Sequence, residues 1–523
     1  MSEQLDSSSQ IAERFRRSVV GVGGAGSTYF FLLLIAASLL FFTMLDLFWV
    51  GFLGSDDAAY WAGSTGWLQH FPYLGRDHWT LRHTLVIPMA LARLVFGDGA
   101  TSLFLPTLLY AEGLILIIGI WAWRSVGPRA VIAVLPLIVT FPQLVIYSST
   151  ADIDVVEIFF VFGAFFFLSG AMAKVDHFSF AGSSGDASYC CKPLLAGVFL
   201  GFALLSRETA VFAVVAVALL CVVQYRLKRK YYLFILLGLF AVTGLELLYL
   251  WSQSGHPFYR YSLDVHHDSN VNRWADQGAA IPFVHPALDP FTMLLLNHNF
   301  GLTAWIALPL SIWLVRRRDM EGPERTLTVL LGALALVWST LSAGLWKSLV
   351  LIPRYYLVPS ICLLVLAGLA LSRLWHDGRR WLAATLGALL VMSNVAALSL
   401  DNRNFMLGEY KLVELAKRQA GIIHSDPETV RRAGLLLDWA GVRERVTATP
   451  IHSGDLVFVN PLRPYHGALS ANGWNLLYES VIPLSGGHFL ACSMPERIVP
   501  KAMIGNFGCR AESLRLYQVG TIR

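Results

Sequence analysis

The stretch Phe48-Trp49-Val50-Gly51-Phe52-Leu53-Gly54-Ser55-Asp56-Asp57-Ala58-Ala59-Tyr60 closes a long apolar run and delivers two adjacent carboxylates. The run, residues 28–50, exceeds the roughly 18 apolar residues that mark a membrane span. Charge this close to hydrocarbon is costly, so acids at the end of a span mark a functional site by default. Working outward, further apolar runs at 101–123, 130–147, 155–173, 193–206, 209–224, 231–251, 293–315, 326–346, 353–371 and 381–400 complete a set of eleven expected spans. The run 83–96 is apolar but short, and Arg82, His83 and Arg93 flank or interrupt it. It reads as an amphipathic helix lying at the interface.

Composition agrees. Of 523 residues, 55% are hydrophobic and 14% charged, and the mean hydropathy is +0.56. A soluble domain carries about 25% charged residues. This excludes a disordered chain, a small disulfide scaffold and an ordinary soluble enzyme. The net charge of +5 is too small a surplus to indicate nucleic acid.

The charges fall unevenly. The last 123 residues hold 25 charged side chains and the first 400 hold 50. The expected organisation is a cytoplasmic tail at 1–27, a membrane domain at 28–400 with a first outer loop at 51–100, and a water-exposed domain at 401–523. With the N-terminus in the cytoplasm, cytoplasmic segments hold 18 Lys and Arg and the opposite loops of the membrane domain hold 8, as the positive-inside rule requires. Counting 83–96 as a span would reverse every later loop. Eleven spans put 401–523 outside the cytoplasm, where Cys492 and Cys509 could persist as a disulfide or as free thiols. Within that domain, 404–420 and 427–441 have helical periodicity, with Asp426-Pro427 as a start signal. Leu456–Val459 reads as a strand. The fold class is therefore an all-α polytopic membrane bundle with a small extracytoplasmic α/β domain. That domain is expected to help recognise the acceptor, with simple stabilisation as the alternative.

Given this topology, carboxylates gather at the outer ends of the spans: Asp56 and Asp57, then Asp152 and Asp154 with Glu157 a turn on, then Glu208. Helix capping accounts equally well for Asp152 or Asp154 taken singly, but for at most one of the adjacent pair Asp56-Asp57. Like charges in a confined site push one pKa up and leave a proton acceptor near neutral pH. Such a base suits either glycosyl transfer or glycoside hydrolysis. The same face carries Arg82, His83, Arg207, Lys347 and Arg354, the last beside Tyr355. Arg grips phosphate oxygens by a charge-assisted fork, whereas snorkelling to headgroups is the ordinary use of such residues. Arg207 stands apart because it lies in a very short turn beside a carboxylate. His266-His267-Asp268 reads as a solvated loop cluster within 252–292. Glu112, in the middle of a span, either bonds a neighbouring helix or lines a cavity.

These pieces together resemble the GT-C membrane glycosyltransferases, in particular the group of protein O-mannosyltransferases, the lipid A aminoarabinose transferase and Rgt-type galacturonic-acid transferases. The resemblance covers roughly residues 28–375. It is carried by Asp56-Asp57-Ala58-Ala59-Tyr60, by Leu81 to Phe96-Gly97, by Asp152 and Asp154, by Gly201 to Glu208, and by Pro353-Arg354-Tyr355-Tyr356-Leu357-Val358-Pro359. It implies transfer of a sugar from a polyprenyl-phosphate carrier to an acceptor hydroxyl of the cell envelope, with inversion, outside a bacterial inner membrane. It implies Asp56 as the catalytic base, with Asp57 beside it where many relatives have Glu. Arg207 and Arg354 fall at donor-phosphate positions. The usual Lys-Pro-Pro or His-Pro-Pro is here Arg82-His83-Thr84. Arg82, His83, Asp152, Asp154, Glu208, Lys347 and Tyr355 complete the substrate-binding set. No cofactor is required; a divalent metal belongs to the pyrophosphate-using relatives and stays open. The rival reading is a transporter or flippase, which would place charges near the midplane and show inverted repeats. A lipid-linked glycan ligase or polymerase, with Arg260, His266 and Arg273 in its large loop, and a non-catalytic scaffold are the others.

Overall fold

The computed structural model describes residues 25–175, 186–270, 289–344, 353–400, 405–463, 474–482 and 512–520. In chain order the helices are α1 (Ala25–Leu47), α2 (Asp56–Gln69), α3 (His83–Phe96), α4 (Ala100–Ser125), α5 (Pro128–Val139), α6 (Pro142–Ser148), α7 (Ile153–Val175), α8 (Asp186–Ser206), α9 (Val211–Val222), α10 (Arg229–Ser254), α11 (Tyr259–Asn270), α12 (Asp289–Leu296), α13 (Leu308–Arg316), α14 (Gly322–Gly344), α15 (Leu357–His376), α16 (Arg380–Leu400), α17 (Leu407–Arg418) and α18 (Pro427–Trp439).

Among the described residues, seven helices are long and apolar enough to cross a membrane, or eight with one bent pair. This is an integral membrane protein. The runs at 193–206 and 209–224 fall on apolar helices of 10–17 residues, whereas 293–315 is broken after α12 and only its part from Thr303 onward lies on such a helix. The run at 130–147 is not one straight helix. It breaks into α5 and α6, bent by 60°. Pro142 opens α6 at its first turn; proline lacks the N–H and crowds the preceding turn, so α5 ends before it. Backbone groups freed at such a break need partners inside a membrane. Asn394 of α16, fully buried, supplies one by donating to the Leu137 carbonyl at 3.3 Å.

α15 runs through the centre of the bundle, with 89% of its most apolar window buried. It packs on α5, α13, α14 and α16. α8 lies between α7 and α10. The α8–α10 contact depends on small residues. A Cβ at Gly197 would meet the Ile235 carbonyl oxygen at 2.0 Å, and one at Gly238 would meet the Leu194 carbonyl oxygen at 2.3 Å. Small residues let helix backbones approach closely where no hydrophobic force drives them together. Glu112 of α4 accepts from Ser38 Oγ of α1 at 2.8 Å, an interhelical bond inside the bundle.

The C-terminal segment forms a five-stranded sheet in the order β2 (Val446–Thr447), β1 (Ile423–His424), β3 (Leu456–Val459), β5 (Ser513–Gln518), β4 (Asn475–Val481). β1 pairs in parallel with β2 and β3, and β5 pairs antiparallel with β3 and β4. α17 and α18 pack on each other over a separate apolar core that includes Leu412, Ile423, Leu437, Phe458 and Leu516. Asp426 caps α18 by accepting from the Thr429 amide at 2.8 Å. The segment 252–292, read as a loop, contains α11 and the start of α12. Lys347, Cys492 and Cys509 lie outside the described residues, as do the side chains of His266 and His267.

Candidate active site

The turn between α1 and α2 is built around Asp57. Its carboxylate accepts from the amides of Leu53, Ser55 and Ala58 at 2.5, 2.8 and 2.9 Å, and it is only 3% exposed. Burial pushes it up to about 6, against the three amides that pull it down. Three backbone donors hold this carboxylate in the turn, so Asp57 shapes the loop. Asp56, beside it, is the more exposed of the pair. Gly54 helps turn the chain with φ +64, a region that L side chains resist.

Asp56 accepts from Arg354 Nη1 at 3.4 Å, and the two side chains are 29% and 28% exposed. They are 298 positions apart in sequence. Arg354 arrives on the short turn Pro353–Tyr356 that leads into α15. The turn is pinned by the Trp338 indole donating to the Tyr355 carbonyl at 3.0 Å.

The α6–α7 turn adds Asp152 and Asp154. Asp152 Oδ1 accepts from the Asp154 amide at 3.2 Å, so part of its role is the capping that its position suggested. Burial raises the Asp152 carboxyl, while Arg354, Arg207 and Arg82 all act to lower it. Asp154 is buried and ion-paired with Arg207. The Arg207 guanidinium lies 4.5 Å from the Tyr355 ring centroid, a cation–π contact. Three guanidinium groups from three separate segments therefore act on the charge of Asp152. One step along α7, the Glu157 carboxylate accepts from Thr209 Oγ1 at 2.5 Å.

Glu208 takes the opposite direction from Arg207. It pairs with Arg82 at 2.9 Å and with Arg260 at 2.9 Å. Arg82 also donates to the Ser206 carbonyl at 2.6 Å. Arg260 has no exposed surface and also donates to Glu246 at 2.6 Å and to the carbonyls of Leu204 and Leu205. Asp264 lies 3.9 Å from Arg82 and 3.7 Å from His78. Glu208, predicted to contact substrate, is here the clasp between two guanidiniums.

Arg260, Glu246 and Asp264 were not among the predicted site residues. Glu246 carried a legible signal, because a carboxylate inside the apolar run 231–251 is expensive. Arg260 carried little, since nothing in the loop sequence places it beneath the α8–α9 turn.

His83 does not join the cations. Burial and then Arg260 lower its imidazole to about 4, so it is neutral at pH 7. It stands edge-on to Trp67 and Tyr249, with centroids 5.6 and 5.4 Å away. These three rings help line a mainly apolar groove of about 520 Å³, together with Ile87, Pro88, Phe160, Phe202 and Glu246. Arg260 bonds two of its lining residues, Leu205 and Glu246, and the apolar lining suits a hydrocarbon chain.

Among the described residues no three His, Cys, Asp or Glu side chains come together as a metal ion would need. Asp56 is paired with a guanidinium, and the charges of three act on Asp152. Cations this close to the acids favour an anion.

The arrangement coincides with a known architecture. The chain is similar to the structure of ArnT from Cupriavidus metallidurans in the apo state, with TM-score 0.55 and 12% identity over 94% of this chain and 98% of that one. The same ArnT bound to undecaprenyl phosphate gives TM-score 0.57 and 15% identity over 84% and 94%. The archaeal oligosaccharyltransferase AglB from Archaeoglobus fulgidus, in complex with an inhibitory peptide and a dolichol-phosphate, gives 0.52 and 13% over 81% of this chain and 64% of that one. The fold is that of the GT-C glycosyltransferases. No protein-family model and no curated protein matches the sequence.

Proposed function

We propose that this chain is an integral-membrane glycosyltransferase that moves a sugar from a polyprenyl-phosphate carrier to an acceptor hydroxyl of the cell envelope, on the extracytoplasmic face. The observation that carries the reading is the pairing of the part-exposed Asp56 and Arg354, with Arg207 against the neighbouring Tyr355 ring and an apolar groove lined by His83 and Thr84, the residues that follow Arg82. The ArnT and AglB structures that share the fold hold undecaprenyl phosphate and dolichol-phosphate, which supports a lipid-linked donor here.

The chemistry follows from the groups. The groove takes the polyprenyl chain. Arg354 and Arg207, with Arg82 behind them, bind the phosphate. Asp56 accepts the proton of the acceptor hydroxyl, whose oxygen attacks the anomeric carbon from the side opposite the phosphate. The bond from that carbon to the phosphate oxygen breaks, and its electron pair leaves with the phosphate. Charge grows on the phosphate as the bond breaks, and fixed guanidiniums stabilise it more in the transition state than in the ground state. A single displacement inverts the anomeric centre. The sugar enters already tethered to lipid, so no nucleotide-binding domain is needed.

The test compares lipid, glycan and protein fractions by mass spectrometry in cells with wild-type protein, no protein, or Asp56→Asn. The variant should reach the membrane at wild-type level and give the same missing-sugar profile as the deletion. Full product from Asp56→Asn would remove the base assignment.

A further inference from the structure

The C-terminal domain grips the turn that presents Asp56. Arg432 of α18 donates through Nη1 to the Leu53 carbonyl at 2.8 Å. Its Nε is fixed by Glu428 at 2.5 Å. The α18 backbone is pressed against Gly54 so tightly that a Cβ there would meet the Arg432 carbonyl oxygen at 2.7 Å. At the far end of α18, Trp439 packs edge-on to Trp61 with centroids 4.9 Å apart, and 6.2 Å from Phe52. Leu53 is held from both sides, since its amide donates to Asp57 and its carbonyl accepts from Arg432. The contact spans 379 positions of sequence.

We propose that Arg432 is a positioning residue for the transfer reaction: through the Leu53 carbonyl, the C-terminal domain fixes the turn that aims Asp56 at Arg354. The proposal rests on the transferase reading and assigns the C-terminal domain a part in turnover. Among the described residues, the Asp56 side chain meets Arg354 at 3.4 Å and Ser55 Oγ at 3.4 Å. Neither of those is tight enough to hold the carboxylate, so its direction is inherited from the backbone of the turn. Misplacing a catalytic group by about 1 Å costs on the order of 100-fold in rate. A lost brace that loosens the turn by less should cost about tenfold.

The experiment uses the full chain in lipid nanodiscs and in cells, with Arg432→Ala, Arg432→Lys, Asp56→Asn and, as a control, Arg431→Ala. Arg431 pairs with Glu428 on the exposed face. Three quantities are read: product formed per enzyme, amide hydrogen exchange in a peptide covering 50–60, and binding of undecaprenyl phosphate. Arg432→Ala should lower product about tenfold and speed exchange at 50–60, with undecaprenyl phosphate binding unchanged. Arg432→Lys, which keeps a donor, should recover part of both. Arg431→Ala should match wild type. Wild-type turnover in Arg432→Ala would overturn the proposal. So would lost turnover with unchanged exchange, or an equal loss of lipid binding, which would signify general damage. Failure of the transferase reading shows separately, as Asp56→Asn retaining full product.

Discussion

Arg260→Met tests the ion network that supports the site. The substitution removes a guanidinium with no exposed surface that donates to Glu208 at 2.9 and 3.1 Å and to Glu246 at 2.6 Å. It also withdraws donors from the carbonyls of Leu204 and Leu205 at 2.7 and 2.9 Å, the last turn of α8. Glu208 keeps Arg82 at 2.9 Å, so the charge left without compensation is chiefly that of Glu246. Breaking a buried pair by removing one partner costs about 3–5 kcal/mol. At about 1.4 kcal/mol per decade, the folded-to-unfolded ratio falls between roughly 100-fold and a few thousand-fold. Adding Glu246→Gln removes the stranded charge, so the double variant should recover more than half of the loss. The assay is denaturant unfolding of the purified protein in a fixed detergent, run as a double-mutant cycle. Wild-type stability for Arg260→Met, or a double variant no better than the single one, would refute the argument. Because Glu208 then pairs with Arg82 alone, undecaprenyl phosphate should also bind Arg260→Met less tightly.

The remaining predictions concern separate parts of the molecule. Gly238→Leu should force α10 away from the Leu194 carbonyl and cost at least the 1–3 kcal/mol, roughly, of core overpacking, read as a lower melting temperature in detergent. Gly54→Ala combines φ +64 with a contact at 2.7 Å to the Arg432 carbonyl. It should cost about 1–2 kcal/mol and speed exchange in the peptide 50–60, which proteolytic mapping of deuterium uptake will resolve. Burial raises the Asp57 carboxyl to about 6. Its folded value lies above its unfolded one, so its contribution to stability is full below about pH 4 and is lost as pH rises through about 6. The melting temperature of wild type relative to Asp57→Asn should therefore fall over that window and level off above it. A constant difference across the window would reject the assignment. Asp426→Ala removes the cap of α18 and should cost about 1 kcal/mol, measured by thermal denaturation.

Much of the fold was legible because its causes are local. Apolar length marks a helix that crosses a membrane whatever surrounds it, and Asp426-Pro427 starts α18 because capping and a fixed φ act within one turn. Pro142 was equally local, yet the run at 130–147 was read as one span; the proline, given its weight, places the break. The site was half legible. Asp56, Arg207 and Arg354 are marked by charge at span ends. That Asp57 folds back onto the amides of Leu53, Ser55 and Ala58 depends on the path of a turn with Gly54 in the left-handed region, which the pair of letters does not encode. His83 stands next to Arg82 in the expected substrate-binding set, but Arg82 precedes the helix that His83 opens, and the His83 ring joins Trp67 and Tyr249.

By itself the sequence determined that this protein lies in a membrane and that most of its charges sit at the ends of the apolar runs and in the segments between them. Those properties follow from transfer free energies, which each segment expresses on its own. Only the tertiary structure decided which charges meet: Asp56 with Arg354, Arg207 with Asp154, Arg260 with Glu208 and Glu246, and Arg432 with the Leu53 carbonyl. Pairing is a matter of a few ångströms between segments up to 379 positions apart. Helix packing sets those distances, with glycines such as Gly197 and Gly238 allowing the closest approaches.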